Sequence, residues 1–260
     1  RVDSILMRHT HPSLADWLAA APFTLAMSSG FFGFYAHAGV LRALEEAGLT
    51  PARAMGSSAG ALVTGAYCAG LSAAGVCERL SQLERSDFWD PALGRGLLRG
   101  RRVRELLERW LPVPAFRACR LPLSVSVFDV SARATHVIDE GPLAPALAAS
   151  CAVPLMFHPV RHRGRALFDG GILDRPGLAG AAPGQRVFYH HLSSRWLGNT
   201  APARQDMVAL EITALPQVDP FRMHRGRQAM DLATKATRSA LQQPMAASVR
   251  MTAAPDRWQF

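Results

Sequence analysis

A serine set between two glycines, in Gly56-Ser57-Ser58-Ala59-Gly60, is the strongest chemical signal in the sequence. A G-x-S-x-G string between a strand and a helix makes so sharp a turn that only small neighbours fit, and the central hydroxyl projects clear of the sheet. The helix that follows aims its positive end at the same place, which favours an anionic intermediate. Ser58 is therefore the expected nucleophile, with Gly56 and Gly60 as its small flanks. A serine hydroxyl needs a base. Phe168-Asp169-Gly170-Gly171 offers one, an acid at the end of an apolar run followed by two glycines that allow close backbone approach. Standing alone, an Asp-Gly pair is more commonly a turn. A third stretch, Ser28-Ser29-Gly30-Phe31-Phe32-Gly33, lies between a strand and a helix, where backbone N–H groups can stabilise the oxyanion of acyl transfer. Its missing third glycine weakens a dinucleotide-binding reading.

Alternating strands and helices must hold these pieces. Residues 23–29 read as a short apolar strand, Gly30–Gly33 as a glycine-bracketed loop, and Tyr35–Ala47 as a helix ended by Gly48. Ala52–Met55 ends a second strand, and Ala61–Ala69 begins a helix rich in small residues after the GSSAG turn. Two such units imply α/β layering. Leu71–Glu84 and Val103–Trp110 read as helices, Leu121–Val130 as a strand with Thr135–Asp139 as its partner, and Pro142–Ser150 as a short helix. Ala166–Asp169, Val187–Leu192 and Val208–Thr213 read as strands, and Met223–Ala247 as helical, with the last residues of the chain loose. No repeat or linker divides the chain.

Taken in this order, the three chemical pieces resemble the patatin-like phospholipase family. That family joins a glycine-rich oxyanion loop, a G-x-S-x-G elbow and a D-G-[AG] motif. His37-Ala38-Gly39-Val40-Leu41 is similar to its H-x-G-V-L helix start, and Leu121–Val130, Ala148–Pro154 and Phe157–Val160 match further segments. The resemblance spans roughly residues 24–180. It implies a three-layer α/β/α fold with a mostly parallel central sheet, and a Ser-Asp dyad in which Ser58 is the nucleophile and Asp169 the proton acceptor. It also implies an oxyanion hole near Ser29, Gly30 and Phe31, with Gly33, Gly170 and Gly171 as motif positions. The substrate would be a lipid acyl ester, and no metal or cofactor is needed. An N-terminal segment 1–22, a catalytic body 23–222 and a C-terminal helical segment and tail 223–260 of the same domain follow. Ser28 and Ser29 stand where the family commonly has glycines, and Phe32 where it often has Arg or Lys. One residue is also inserted between Gly33 and His37. Two alternatives therefore stay open. One is a catalytically weakened lipid-binding or interaction module on the same scaffold. The other is an ordinary Ser-Asp-His triad using His190, His191 or His224. Adjacent His190 and His191 on a strand point to opposite faces, so at most one of them serves. His37, His158 and His162 read as structural.

Composition bounds the rest. At 260 residues with 49% hydrophobic and 19% charged side chains, the chain has material for one sizeable core and is not a disordered chain. Lys+Arg 29 against Asp+Glu 20 leaves a net charge of +9, and Lys235 is the single lysine. Arginines cluster at 95–109, 161–165 and 222–227 without zinc-finger, RNP-type or heptad patterns, which disfavours nucleic acid. Peripheral contact with an anionic membrane is one reading, and genome-wide codon composition is the blander one. Cys68, Cys77, Cys119 and Cys151 are far apart with no CxxC, so neither a zinc site nor a disulfide framework is expected, and a cytoplasmic setting is. No apolar run reaches the ~20 residues of a membrane span. The chain starts at Arg1, so residues 1–6 read as a remnant of cloning or processing. The sequence leaves the oligomeric state open.

Overall fold

The computed structural model describes residues 12–193 and 200–253. Residues 1–6, and the end of the tail beyond 253, lie outside the described residues. A nine-stranded, mostly parallel sheet forms the centre, with helices packed on it. In chain order the elements are α1 (Leu14–Ala20), β1 (Thr24–Met27), α2 (Phe34–Glu46), β2 (Arg53–Ser57), α3 (Ala59–Cys68), α4 (Ala73–Ser81), β3 (Gly96–Leu98) and α5 (Arg101–Trp110). They continue as β4 (Leu123–Asp129), β5 (Ala134–Ile138), α6 (Leu143–Ser150), β6 (Leu155–Phe157), β7 (Val160–His162) and β8 (Arg165–Asp169). The last four are β9 (Val187–His191), β10 (Met207–Thr213), α7 (Gly226–Leu241) and β11 (Ser248–Thr252). The sheet runs β11-β10-β9-β1-β2-β4-β8-β7, with β5 added on β4, while β3 and β6 form a separate pair.

The central parallel strands β1 and β9 are buried on both faces, as runs such as Thr24–Met27 and Val187–His191 require. Side chains alternate between two clusters. Leu25, Ala54, Val125, Phe188 and Leu210 join the larger one with residues of all seven helices, including Leu14, Leu41, Val63, Leu107, Leu147 and Ala233. Ala26, Met55, Val187, Tyr189 and Ala209 form the smaller one, completed by the non-helical Leu178, Ala181 and Ala201.

Register is what builds the site. Met27 at the end of β1 lies opposite Gly56 of β2 and His190 of β9, so the 28–33 loop and the serine elbow leave the sheet side by side. β4 pairs with β2 through Leu123–Ser126 and with β8 through Val127–Asp129, while β5 pairs across Val125–Asp129. Because β5 overlaps both partners it must occupy the other edge. β2 and β8 therefore share one edge of β4, end to end. Antiparallel β8 takes over where β2 stops, and Asp169 arrives beside the elbow.

Two expectations are corrected, and the N-terminal segment gains a helix. The C-terminal helix ends at Leu241, and residues 248–252, expected as a loose end, return as β11 parallel to β10. The helix after GSSAG starts at Ala59 rather than Ala61, because β2 runs through Gly56 and Ser57. Within the 1–22 segment, α1 is a capped helix in which Ser13 and Asp16 form a reciprocal capping box and Leu14 and Leu18 are buried.

Candidate active site

The elbow is compressed into one residue. Ser58 has φ 51° and ψ −117°, between the end of β2 and the start of α3, a conformation that costs energy for a side-chain-bearing residue. Close approach of the helix makes it fit. A Cβ on Gly56 would lie 2.5 Å from the carbonyl carbon of Gly60, and one on Gly60 would collide with the Met27 carbonyl oxygen. Small residues are thus demanded by contact between α3 and strands β1 and β2. The Ser58 hydroxyl donates to Asp169 Oδ2 at 2.6 Å, and Asp169 Oδ1 accepts the Gly171 N–H at 2.7 Å. A Cβ on Gly171 would collide with Ser29 Oγ, so the D-G-G glycine admits the loop to the same site. Both dyad side chains are buried. Burial pushes the Asp169 carboxyl up to about 6, against the opposing hydrogen bonds from Ser58 and Gly171.

A further residue holds the elbow. Ser150 Oγ accepts the Ser58 N–H at 2.9 Å and donates to the Ser126 carbonyl at 2.7 Å, tying α6 and β4 to the nucleophile's backbone. The Ala148–Pro154 segment carried this serine, but a buried hydroxyl with partners on two other elements has no local sequence signature.

In the loop, Ser28 is wholly buried. Its N–H donates to the His190 carbonyl, its Oγ accepts the Leu192 N–H at 2.9 Å, and its carbonyl accepts His37 Nε2–H at 2.8 Å. The left-handed position is Phe32, at φ 55°, so serines at 28 and 29 are unstrained. The Ser29 N–H already donates to the Arg175 carbonyl at 2.8 Å. This corrects its expected place among the oxyanion donors. The N–H groups of Gly30 and Phe31 have no partner among the described residues, and Gly33 closes the turn by donating to the Gly30 carbonyl.

The histidine triad is not assembled. His190 points to His37, with Nδ1 to Nδ1 at 2.7 Å. Since His37 Nε2–H donates to the Ser28 carbonyl, its Nδ1 accepts and His190 Nδ1 carries the shared proton, leaving His190 Nε2 buried without a partner. Burial lowers His37 to about 4 and holds His190 well below the ordinary histidine range. His191 Nδ1 shares a 3.0 Å hydrogen bond with the Tyr189 hydroxyl, and His224 is exposed ahead of α7. No histidine bonds to Ser58 or Asp169 among the described residues. His158 bonds the Gly96 carbonyl, whereas His162 Nε2 is buried without a partner among the described residues. Among the described residues no group of three or more His, Cys, Asp or Glu is placed to hold a metal, and no helix is long and apolar enough to cross a membrane.

Comparison with known proteins bears on the same region. The description "Patatin-like phospholipase" matches residues 25–182. The uncharacterized NTE family proteins Rv1063c of Mycobacterium tuberculosis and Mb1092c of Mycobacterium bovis are each 34% identical over 153 residues, covering 58% of this chain and 42% of theirs. The chain thus spans less than half the length of these relatives. Among solved structures, VipD from Legionella pneumophila superposes with a TM-score of 0.56 at 16% identity, over 80% of this chain and 52% of that one, a likeness of fold.

Proposed function

The chain belongs to the patatin-like phospholipase family, and from that premise we propose that it is a serine acyl hydrolase cleaving lipid acyl esters through a Ser58–Asp169 dyad. The observation that carries this reading is the 2.6 Å hydrogen bond from the strained Ser58 hydroxyl to a buried carboxylate. Asp169 Oδ2 accepts the Ser58 proton as Oγ attacks the ester carbonyl, giving a tetrahedral oxyanion. The unpartnered N–H groups of Gly30 and Phe31 receive that charge, helped by the N-terminal end of α3. Asp169 returns its proton to the leaving alcohol, then takes one from the water that cleaves the acyl-enzyme and hands it back to Ser58. An ordinary carboxylate is a weak base, and the burial that raises Asp169 to about 6 moves it toward working pH. Gly171 N–H holds the carboxylate in place, and Ser150 fixes the elbow.

Hydrolysis of p-nitrophenyl butyrate by the purified chain tests the dyad. Ser58→Ala and Asp169→Asn should each lower kcat by roughly 10³-fold or more, and to similar levels, because two groups acting as a unit are not additive. Retained activity in either variant ends the assignment. The engaged Ser29 N–H favours a second reading, a lipid-binding module with weakened chemistry. A fluorophosphonate probe separates the two, since labelling lost in Ser58→Ala marks an activated serine and no labelling of the parent chain marks the module.

A further inference from the structure

The chain segments that hold the dyad continue directly into large apolar side chains that face water. Phe31 follows Gly30, whose N–H has no partner among the described residues. Ile172 and Leu173 follow Gly171, the Asp169 donor. Leu155 lies three residues beyond Ala152, whose carbonyl accepts the Asp169 N–H. β6 carries Leu155 and pairs with β3, which carries exposed Leu97, and the Ala92 N–H to Leu97 carbonyl bond closes a turn that presents Leu93. Leu93 is 102% exposed and Leu155 is 85% exposed. Phe31 meets Phe32 edge-on at 4.9 Å and Phe32 meets Phe88 at 5.9 Å, so the 85–104 segment borders the same mouth.

Positive charge dominates this rim, because the two acids of the 85–104 segment, Asp87 and Asp90, are engaged by backbone N–H groups of Glu84, Gly100 and Arg102. Residues 91–104 carry Arg95, Arg99, Arg101, Arg102 and Arg104, all exposed, and no Asp or Glu. Arg101 and Arg104 lean on Glu105 and Glu108 at 3.5 Å, whereas Arg95 and Arg99 have no ion pair among the described residues. Exposed leucines interspersed with unpaired arginines suit an interface that is apolar in depth and anionic at its surface.

We propose that this rim docks the chain on an anionic phospholipid bilayer. Leu93, Leu97, Leu155 and Leu173 enter the acyl boundary, Arg95 and Arg99 meet lipid phosphates, and the dyad mouth faces the membrane. The proposal deepens the lipid-ester reading and takes its orientation from it. Its experiment reads binding rather than turnover. The Ser58→Ala chain is co-sedimented with vesicles of phosphatidylcholine alone, and of phosphatidylcholine with about 30% phosphatidylglycerol. Binding is expected to the anionic vesicles, weakened roughly tenfold or more by Arg95→Glu/Arg99→Glu and by Leu93→Glu/Leu155→Glu, with only the former defect mimicked by high salt. The same substitutions in the active chain should not lower thermal melting and should leave p-nitrophenyl butyrate hydrolysis intact. Equal binding to both vesicle types, no binding to either, or variants that bind like the parent would overturn the proposal, as would a self-associating chain whose dimer the leucine variant abolishes. Absent ester hydrolysis with intact vesicle binding would remove the chemical reading and leave the docking surface standing.

Discussion

In the proposed dyad Asp169 is both a buried carboxylate and the proton acceptor, and a carboxyl raised to about 6 sets when it can act. Only the ionised form accepts the Ser58 proton, so kcat/KM for a soluble ester should rise tenfold per pH unit below about 6 and level off above it. A profile that levels off near pH 4 would mean that burial does not tune this base. The same burial weakens the fold. A carboxyl raised above its unfolded value contributes stability that is complete below about pH 3.8 and is lost as pH rises through about 6. Asp169→Asn should therefore be inactive yet melt several degrees higher than the parent at pH 8, an effect on the order of 2–3 kcal/mol, with no gain near pH 4. Asparagine can keep both hydrogen bonds, Oδ1 accepting from Gly171 and Nδ2 donating to Ser58. The elbow at Ser58 and the turn at Asp169 were legible in the sequence because each imposes local demands that only small neighbours meet. Ser150 and Ser28 were not, since each works through partners that the fold alone brings together. Sequence also overassigned Ser29, because no pattern in the chain announces that the Arg175 carbonyl takes its N–H.

Between elements, the His37–His190 pair pins the start of α2 to the end of β9 beside the 28–33 loop. Both imidazoles are wholly buried, and their one shared proton leaves His190 Nε2 with no acceptor for a second. Unfolded histidines bind protons near 6.5, which the fold refuses until about 4 for His37, while burial likewise holds His190 well below its ordinary range. Stability from the pair is thus present above about 6.5 and drains as pH falls toward 4. Guanidinium unfolding at pH 7.5 and 5.0 should show a large acid loss in the parent and a much smaller one in His37→Gln/His190→Gln, which can bond across the same gap without titrating. Identical acid losses would remove the pair from the account. Elements with strong periodicity, β1, α2, β4, β5 and α6, were readable within a residue or two. β11 was not, because Ser248-Val249-Arg250-Met251-Thr252 earns its strand by pairing with β10 rather than by pattern. β3 and β6 are three residues each and exist through each other. The end-to-end placement of β2 and β8 on β4 was equally hidden, although the dyad depends on it.

Across the whole molecule, nine uncompensated positive charges act on one fold. Several ion pairs tie elements at short range, such as Arg42–Asp231 at 2.8 Å and Arg238–Glu46 at 2.6 Å between α2 and α7, and Arg250–Glu211 at 2.8 Å between β10 and β11. Exposed pairs of this kind contribute about 0–1 kcal/mol each. Repulsion among the surplus arginines reaches further, and salt removes it first, because the Debye length falls from about 30 Å at 0.01 M to about 10 Å at 0.1 M. Melting should therefore shift upward by a few degrees from 10 to 300 mM NaCl, roughly 1 kcal/mol for a chain of this size. Arg95→Glu/Arg99→Glu removes four units of charge difference from the rim and should melt higher than the parent in low salt, with a shallower salt response. A parent whose melting falls with added salt would show that its ion pairs outweigh its repulsion. The paired outcome is the informative one, since arginines that weaken the folded chain in water and hold it to anionic vesicles are placed for binding at the expense of stability, a combination that codon composition alone does not produce.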